Sequence, residues 1–206
     1  MFRPAGRAAF AVYLCHYVNQ NERSFVTRTN RPVQNLVVAA LMLALAYVLP
    51  FFTGNIPQIG SMLLPMHLPT LLCGFLCGGP WGAAVGFLAP LMRSAILGMP
   101  PPFPTAVAMA VEMAVYGLVS GLLYARRPKN LGGIYTALIS AMAAGRLAWG
   151  AVMVILTMGS GNAFTLAAFW AGAVANAIPG IILQLAAVPA LVMAVQHVRQ
   201  PVPQEG

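Results

Sequence analysis

Three ionisable side chains interrupt otherwise apolar stretches of the chain: Arg93, Glu112 and Arg146. A charged group inside a bilayer is costly unless it is paired or hydrated, so each of the three marks a possible functional site. Two guanidinium groups facing one carboxylate leave a surplus positive charge, which favours an anionic ligand. The alternative is that Glu112 pairs with one arginine only to neutralise it and to hold two helices together.

Polar and aromatic residues recur at helical spacing around these positions. The pairs that share one helix face are Glu112 and Tyr116, Arg146 and Trp149, and Asn176 and Gln184. Aromatic walls with a few polar groups of mixed charge are typical of a small-molecule site. The predicted substrate-binding residues are therefore Arg93, Glu112, Arg146, Tyr116, Trp149 and Asn176.

Three residues near the second apolar stretch are further candidates for this site. His67, within PMHLP, is as well explained by a hydrogen-bonded helix end as by a ligand contact. Asn55 and Gln58 lie in the polar segment 53–61, which either covers the site from outside or is an ordinary loop. We include all three in the predicted substrate-binding set.

The composition indicates an integral membrane protein. Of 206 residues, 60% are hydrophobic and 7% are charged, whereas a soluble domain carries roughly 25% charged residues. The net charge of +8 does not indicate a nucleic-acid partner, because no basic stripe lies on a water-facing segment. We expect no enzyme activity and no cofactor, since catalytic sets and phosphate-binding loops are missing. Cys15, Cys73 and Cys77 give no metal-ligand pattern, so we expect no metal site.

Six apolar stretches predict an all-α integral membrane protein with six transmembrane helices. The stretches are 33–52, 63–79, 81–97, 103–124, 131–158 and 164–195, and each is expected to cross about 30 Å of hydrocarbon. The second and third are almost contiguous, which predicts a helical hairpin. The sixth is over-long and is expected to break at Asn176, Pro179 and Gly180.

The same pattern divides the chain into three parts. We expect a basic cytoplasmic N-terminal tail over 1–32, a six-helix substrate-binding domain over 33–196 and a cytoplasmic C-terminal tail over 197–206. The apolar run 8–18 within the first tail is too short to span a bilayer, although it could also mimic a signal peptide.

The positive charges predict the orientation of this multi-pass protein in the plasma membrane. Short cytoplasmic loops retain Lys and Arg. With the N-terminus inside, nine Lys and Arg fall on the inner side and none in the outer loops, while Arg93 and Arg146 lie within the stretches. Both termini are therefore predicted to be cytoplasmic, and the ionisable residues share the outer half of the bundle.

Two small-residue patterns predict close helix contacts. Ala40 and Ala44 form A-x-x-x-A in the first stretch, and Gly82 and Gly86 form G-x-x-x-G in the third. Taken alone, both patterns favour packing within the bundle, because Ala and Gly are abundant throughout this sequence.

Longer blocks resemble one family: the substrate-binding S components of energy-coupling factor (ECF) vitamin transporters. The blocks are IPQIGSMLLPMHLPTLLCGF, FLAPLMRSAILGMPPPFPTAVAMAVEMAVYGLVSGLLY and NAIPGIILQLAAVPALV, and the resemblance covers 31–196. It implies a six-helix protein that binds one water-soluble vitamin near its outer face. It also implies docking through Ala40 and Ala44 onto a transmembrane coupling subunit, the T component, driven by two cytoplasmic ATPase subunits. Residues 53–66 correspond to the family's substrate-gating loop.

The resemblance thus implies the high-affinity substrate-binding subunit of an ATP-driven micronutrient importer. Pantothenate is the first choice, because its carboxylate suits the arginines and its hydroxyls and amide suit Glu112, Asn176 and His67. Pyridoxine-type compounds, pyrimidines and other precursors stay open. The rival function is a stand-alone proton-coupled secondary transporter of a small anionic metabolite with Glu112 as proton site, although no polar pathway continues through the inner half.

Overall fold

The structure, a computed structural model, describes residues 32–51, 65–158, 165, 170–171 and 177–199. The chain divides into two compact units, Met1–Val37 and Val38–Gly206. In the first unit the described residues, 32–37, are helical and mostly exposed. The contacts discussed below all belong to the second unit.

The described residues form six helices and no strand, and Trp170 and Ala171 are two further helical residues. The six helices are α1 (Pro32–Phe51), α2 (His67–Cys77), α3 (Gly79–Leu97), α4 (Val107–Arg126), α5 (Leu131–Thr157) and α6 (Ile178–Arg199), and a wide turn over Pro102–Ala106 leads into α4. The predicted all-α architecture is therefore confirmed for this part of the chain.

Five of these helices are long and apolar enough to cross a membrane, and α2 is not. It has 11 residues, which rise about 16 Å at 1.5 Å per residue. A crossing of the hydrocarbon by the second stretch is therefore not confirmed. Its helix begins only after the turn at Pro65 and Met66, and it stops at Gly78, whose φ of 95° no helix accommodates.

Helix α6 begins within the stretch where the break is predicted. Pro179 and Gly180 lie in its first turn, where proline is tolerated. Asn176 lies outside the described residues. At its other end α6 continues through Arg199, so residues 197–199 are helical.

Helix α4 packs against α2, α3 and α5. Glycines permit the closest of these approaches: a Cβ at Gly117 would overlap the backbone of Gly82, and one at Gly86 would overlap the carbonyl of Met113. The G-x-x-x-G pair therefore serves packing within the bundle, as the sequence predicts.

The connections define two ends of the bundle. Gly78 alone joins α2 to α3, which confirms the hairpin, and residues 127–130 join α4 to α5 at the same end. The Gln196 amide of α6 donates to the Tyr124 hydroxyl there. We call this the Arg126 end, and the opposite end, where α2 and α4 begin, the His67 end. Helices α2, α4 and α6 all run from the His67 end to the Arg126 end.

Candidate functional site

Glu112 is the centre of a buried polar cluster near the His67 end. Its side chain is 2% exposed, and its Oε1 accepts a hydrogen bond from the Tyr116 hydroxyl at 3.0 Å. The Nη1 of Arg146 lies 3.1 Å from the same oxygen, and the Nε2 of His67 lies 3.8 Å from it. We call these four residues the Glu112 cluster.

Three helices supply the Glu112 cluster. Glu112 and Tyr116 are one turn apart on α4, so their side chains meet on one face, as their spacing predicts. Arg146 reaches them from α5, and His67, the first residue of α2, packs its ring edge-on at 5.3 Å from the ring of Tyr116. Four of the predicted substrate-binding residues therefore lie together in the structure.

Gly145 permits the close approach of these side chains, although it is not among the residues predicted from the sequence. A Cβ at this position would overlap Cε1 and Cδ1 of the Tyr116 ring and would lie 3.1 Å from the Glu112 carbonyl oxygen. The ring of Tyr116 therefore lies directly against the α5 backbone beside Arg146. Only the neighbouring helix reveals this role, because a glycine in an Ala- and Gly-rich stretch carries no signal of its own.

Several buried polar atoms on α2, α5 and α6 have no hydrogen-bond partner within the described part of the chain. They are Nε and Nη2 of Arg146, both ring nitrogens of His67, and both amide atoms of Gln184. Buried polar groups in proteins are nearly always hydrogen-bonded. The unsatisfied nitrogens of Arg146 and His67, which both belong to the Glu112 cluster, therefore indicate a binding site for a polar ligand.

The two unsatisfied nitrogens of Arg146 have a defined geometry. Nε and Nη2 lie on one edge of the planar guanidinium, so their N–H bonds point in parallel and form the fork that binds a carboxylate through two bonds. Glu112 occupies Nη1 instead. The arrangement leaves the edge of Arg146 open to a second acceptor group while its charge is already paired.

Arg93 does not join the cluster. It is 6% exposed, its Nη1 donates to the Tyr47 carbonyl of α1 at 3.2 Å, and its guanidinium lies 5.5 Å from the centre of the Phe51 ring. Its position near the end of α3 turns it toward the last turns of α1. The expected surplus of two arginines around Glu112 is therefore wrong: one arginine faces one carboxylate.

The remaining predicted residues lie elsewhere or outside the described residues. Trp149 is partly buried on α5, one turn beyond Arg146. Asn55, Gln58 and Asn176 lie outside the described residues, as does most of segment 53–66. The sequence spacing places Gln184 on one helix face with Asn176, but Gln184 is not among the predicted substrate-binding residues. The signal that could have singled it out is an uncharged polar residue inside a strongly apolar helix.

Ala40 and Ala44 contrast with the internal glycines. Both are exposed on α1, and the exposed residues between and beside them, Leu41, Leu45 and Val48, are apolar. Helix α1 is also the least buried of the five long helices. These two alanines therefore do not serve packing among the described helices.

The family model of the ECF transporter substrate-specific component matches residues 34–192, which is most of the chain. The chain belongs to this family. Separate searches of curated proteins and of solved structures gave no match. As an ECF substrate-specific component with five long apolar helices, it is a multi-pass membrane protein and a transporter subunit rather than an enzyme. Membership implies a small-molecule substrate and, as partners, a T component and ATPase subunits.

Proposed function

We propose that this ECF component is the high-affinity subunit of an ATP-driven plasma-membrane importer for a micronutrient that carries a carboxylate, with pantothenate as the first compound to test. The observation that carries the proposal is the buried, unsatisfied Nε and Nη2 edge of Arg146. A desolvated guanidinium edge is costly without an acceptor, and a carboxylate matches it with two parallel bonds.

Glu112 orients this edge rather than competing for it. One guanidinium can bond a carboxylate through Nη1 and a second through Nε and Nη2, because the two sets of donors point in different directions. The Tyr116 hydroxyl holds Glu112, and Glu112 holds Arg146. The site is therefore organised before the substrate arrives, which lowers the entropy cost of binding.

His67 adds hydrogen-bonding groups beside the Arg146 edge. A neutral imidazole has one N–H donor and one acceptor nitrogen, and both nitrogens of His67 are buried and unsatisfied within the described chain. A substrate that has hydroxyl or amide groups in addition to its carboxylate would satisfy them. Pantothenate has a carboxylate, an amide and two hydroxyls, which is the reason for testing it first.

The proposed orientation places the site near the outer surface. Arg126, Arg127 and Lys129 cluster at the Arg126 end, and positive loops are retained in the cytoplasm. The Glu112 cluster lies toward the opposite end and hence in the outer half of the membrane. Ala40 and Ala44, exposed on α1, form the proposed contact surface for the T component.

Uptake into proteoliposomes tests the proposal. With labelled pantothenate outside, we expect accumulation only when the T component, the two ATPase subunits and internal ATP are all present. The variant Arg146→Lys, which keeps the charge opposite Glu112 but lacks the planar edge, should lose most of this uptake. Accumulation driven by a proton gradient in vesicles that contain this chain alone would instead establish the secondary-transporter function.

A further inference from the structure

Gln184 on α6 is the most deeply buried uncharged amide in the described part of the chain. It is 1% exposed, and both its amide oxygen and its amide nitrogen lack a hydrogen-bond partner in that part. Its neighbours on the same helix face, Ile181, Leu185 and Val188, pack into the apolar core. A polar side chain within such surroundings is unfavourable for folding unless something else bonds to it.

The helix directions place Gln184 at the depth of the Glu112 cluster. The Gln196 amide of α6 donates to the Tyr124 hydroxyl of α4, so these two residues lie at a similar depth. Helices α4 and α6 run in the same direction, and α6 also contacts α2. Twelve residues back toward the His67 end from Tyr124 is Glu112, and twelve residues back from Gln196 is Gln184, about 18 Å nearer that end in each case.

From this juxtaposition we infer that Gln184 is a substrate-binding residue that sets specificity for a neutral group which both donates and accepts hydrogen bonds, such as a pair of hydroxyls. This inference deepens the proposed function and rests on it, because it concerns the same site. Arg146 binds the carboxylate of the substrate, and Gln184 hydrogen-bonds an uncharged polar group elsewhere on the same molecule. A site that hydrogen-bonds such a group rejects analogues without it, because its own polar atoms are then left unpaired.

The variant Gln184→Met tests the inference, because methionine has nearly the same length and volume and no hydrogen-bonding group. Without ligand, removal of an unsatisfied amide should raise the thermal unfolding temperature. The affinity of the variant for pantothenate should nevertheless fall. Wild type should bind pantothenate roughly 10- to 100-fold more tightly than the analogue without hydroxyls, N-(3,3-dimethylbutanoyl)-β-alanine. Gln184→Met should bind the two with nearly equal affinity.

Gln196→Met is the matched control on the same helix. The Gln196 amide donates to the Tyr124 hydroxyl, so its loss should lower the unfolding temperature and leave the preference for pantothenate unchanged. The inference is overturned if Gln184→Met lowers the unfolding temperature of the ligand-free protein as Gln196→Met does, or if it leaves the preference between the two compounds intact.

The proposed function can fail separately. It fails if wild type does not distinguish pantothenate from panthenol, its analogue in which the carboxylate is replaced by a primary alcohol. The thermal measurement needs no ligand and therefore decides the role of Gln184 even if pantothenate does not bind. A lower unfolding temperature assigns Gln184 to structure, and a higher one supports a residue retained for its ligand.

Discussion

Replacement of Gly145 by alanine should disturb the Glu112 cluster without touching any charged group. The added Cβ would overlap the Tyr116 ring, and the ring can move away only if its hydroxyl leaves Glu112, which it now contacts at 3.0 Å. The lost bond to a carboxylate costs about 2 kcal/mol, and overpacking adds roughly 1–3 kcal/mol. The higher helix propensity of alanine offsets at most about 1 kcal/mol of this loss in stability. We expect a net destabilisation of about 3 kcal/mol.

Gly132→Ala on the same helix is the control for helix propensity. A Cβ at Gly132 would meet only the Asn130 side-chain oxygen, at 3.7 Å, so this variant should be as stable as wild type or slightly more stable. The free energy of unfolding is measured for both variants by SDS titration followed by circular dichroism. Pantothenate titration should show weaker binding for Gly145→Ala alone.

A second substitution shows whether the ring is the cause. In the background of Tyr116→Ala, which lacks both ring atoms that the new Cβ would overlap, the clash disappears. Gly145→Ala should then cost much less, with a coupling energy of roughly 1–3 kcal/mol. If Gly145→Ala and Gly132→Ala have the same stability and the same affinity, the close packing of Tyr116 against α5 does not organise the cluster.

Two other variants separate the site from the rest of the bundle. Arg93→Gln removes the contacts with Tyr47 and Phe51 and should lower the free energy of unfolding by about 2 kcal/mol. Calorimetry should nevertheless show an unchanged preference for pantothenate over panthenol. Loss of that preference would show that Arg93 belongs to the binding site. Ala40→Trp should leave pantothenate affinity within a few-fold while abolishing ATP-driven uptake and co-purification with the T component. Equal loss of binding and uptake would assign Ala40 to internal packing.

Sequence spacing was sufficient where one helix determines the geometry. The bond between Glu112 and Tyr116 follows from their separation by one helical turn, and the hairpin follows from the near absence of a linker around Gly78. Apolar content alone could not show that α2 is short, because hydropathy does not register the turn before His67 or the positive φ of Gly78.

Contacts between helices were the part that the sequence could not determine. Arg93 and Arg146 have the same side chain and both lie in apolar helices, yet one packs against α1 and the other contacts Glu112. Which face of a helix meets which neighbour depends on packing of the whole bundle. The role of Gly145 could not be predicted for the same reason, because it depends on the Tyr116 ring of the neighbouring helix.

Recognition of a carboxylate by the edge of Arg146 is the central claim, and a comparison of two ligands tests it most directly. Pantothenate and panthenol are titrated by calorimetry into purified wild type and Arg146→Lys. A carboxylate held by a desolvated fork contributes about 2–5 kcal/mol, so wild type should prefer pantothenate by roughly thirty-fold or more, and the preference should shrink to a few-fold in Arg146→Lys. Equal affinities in wild type, or a preference unchanged by the lysine, would contradict the claim.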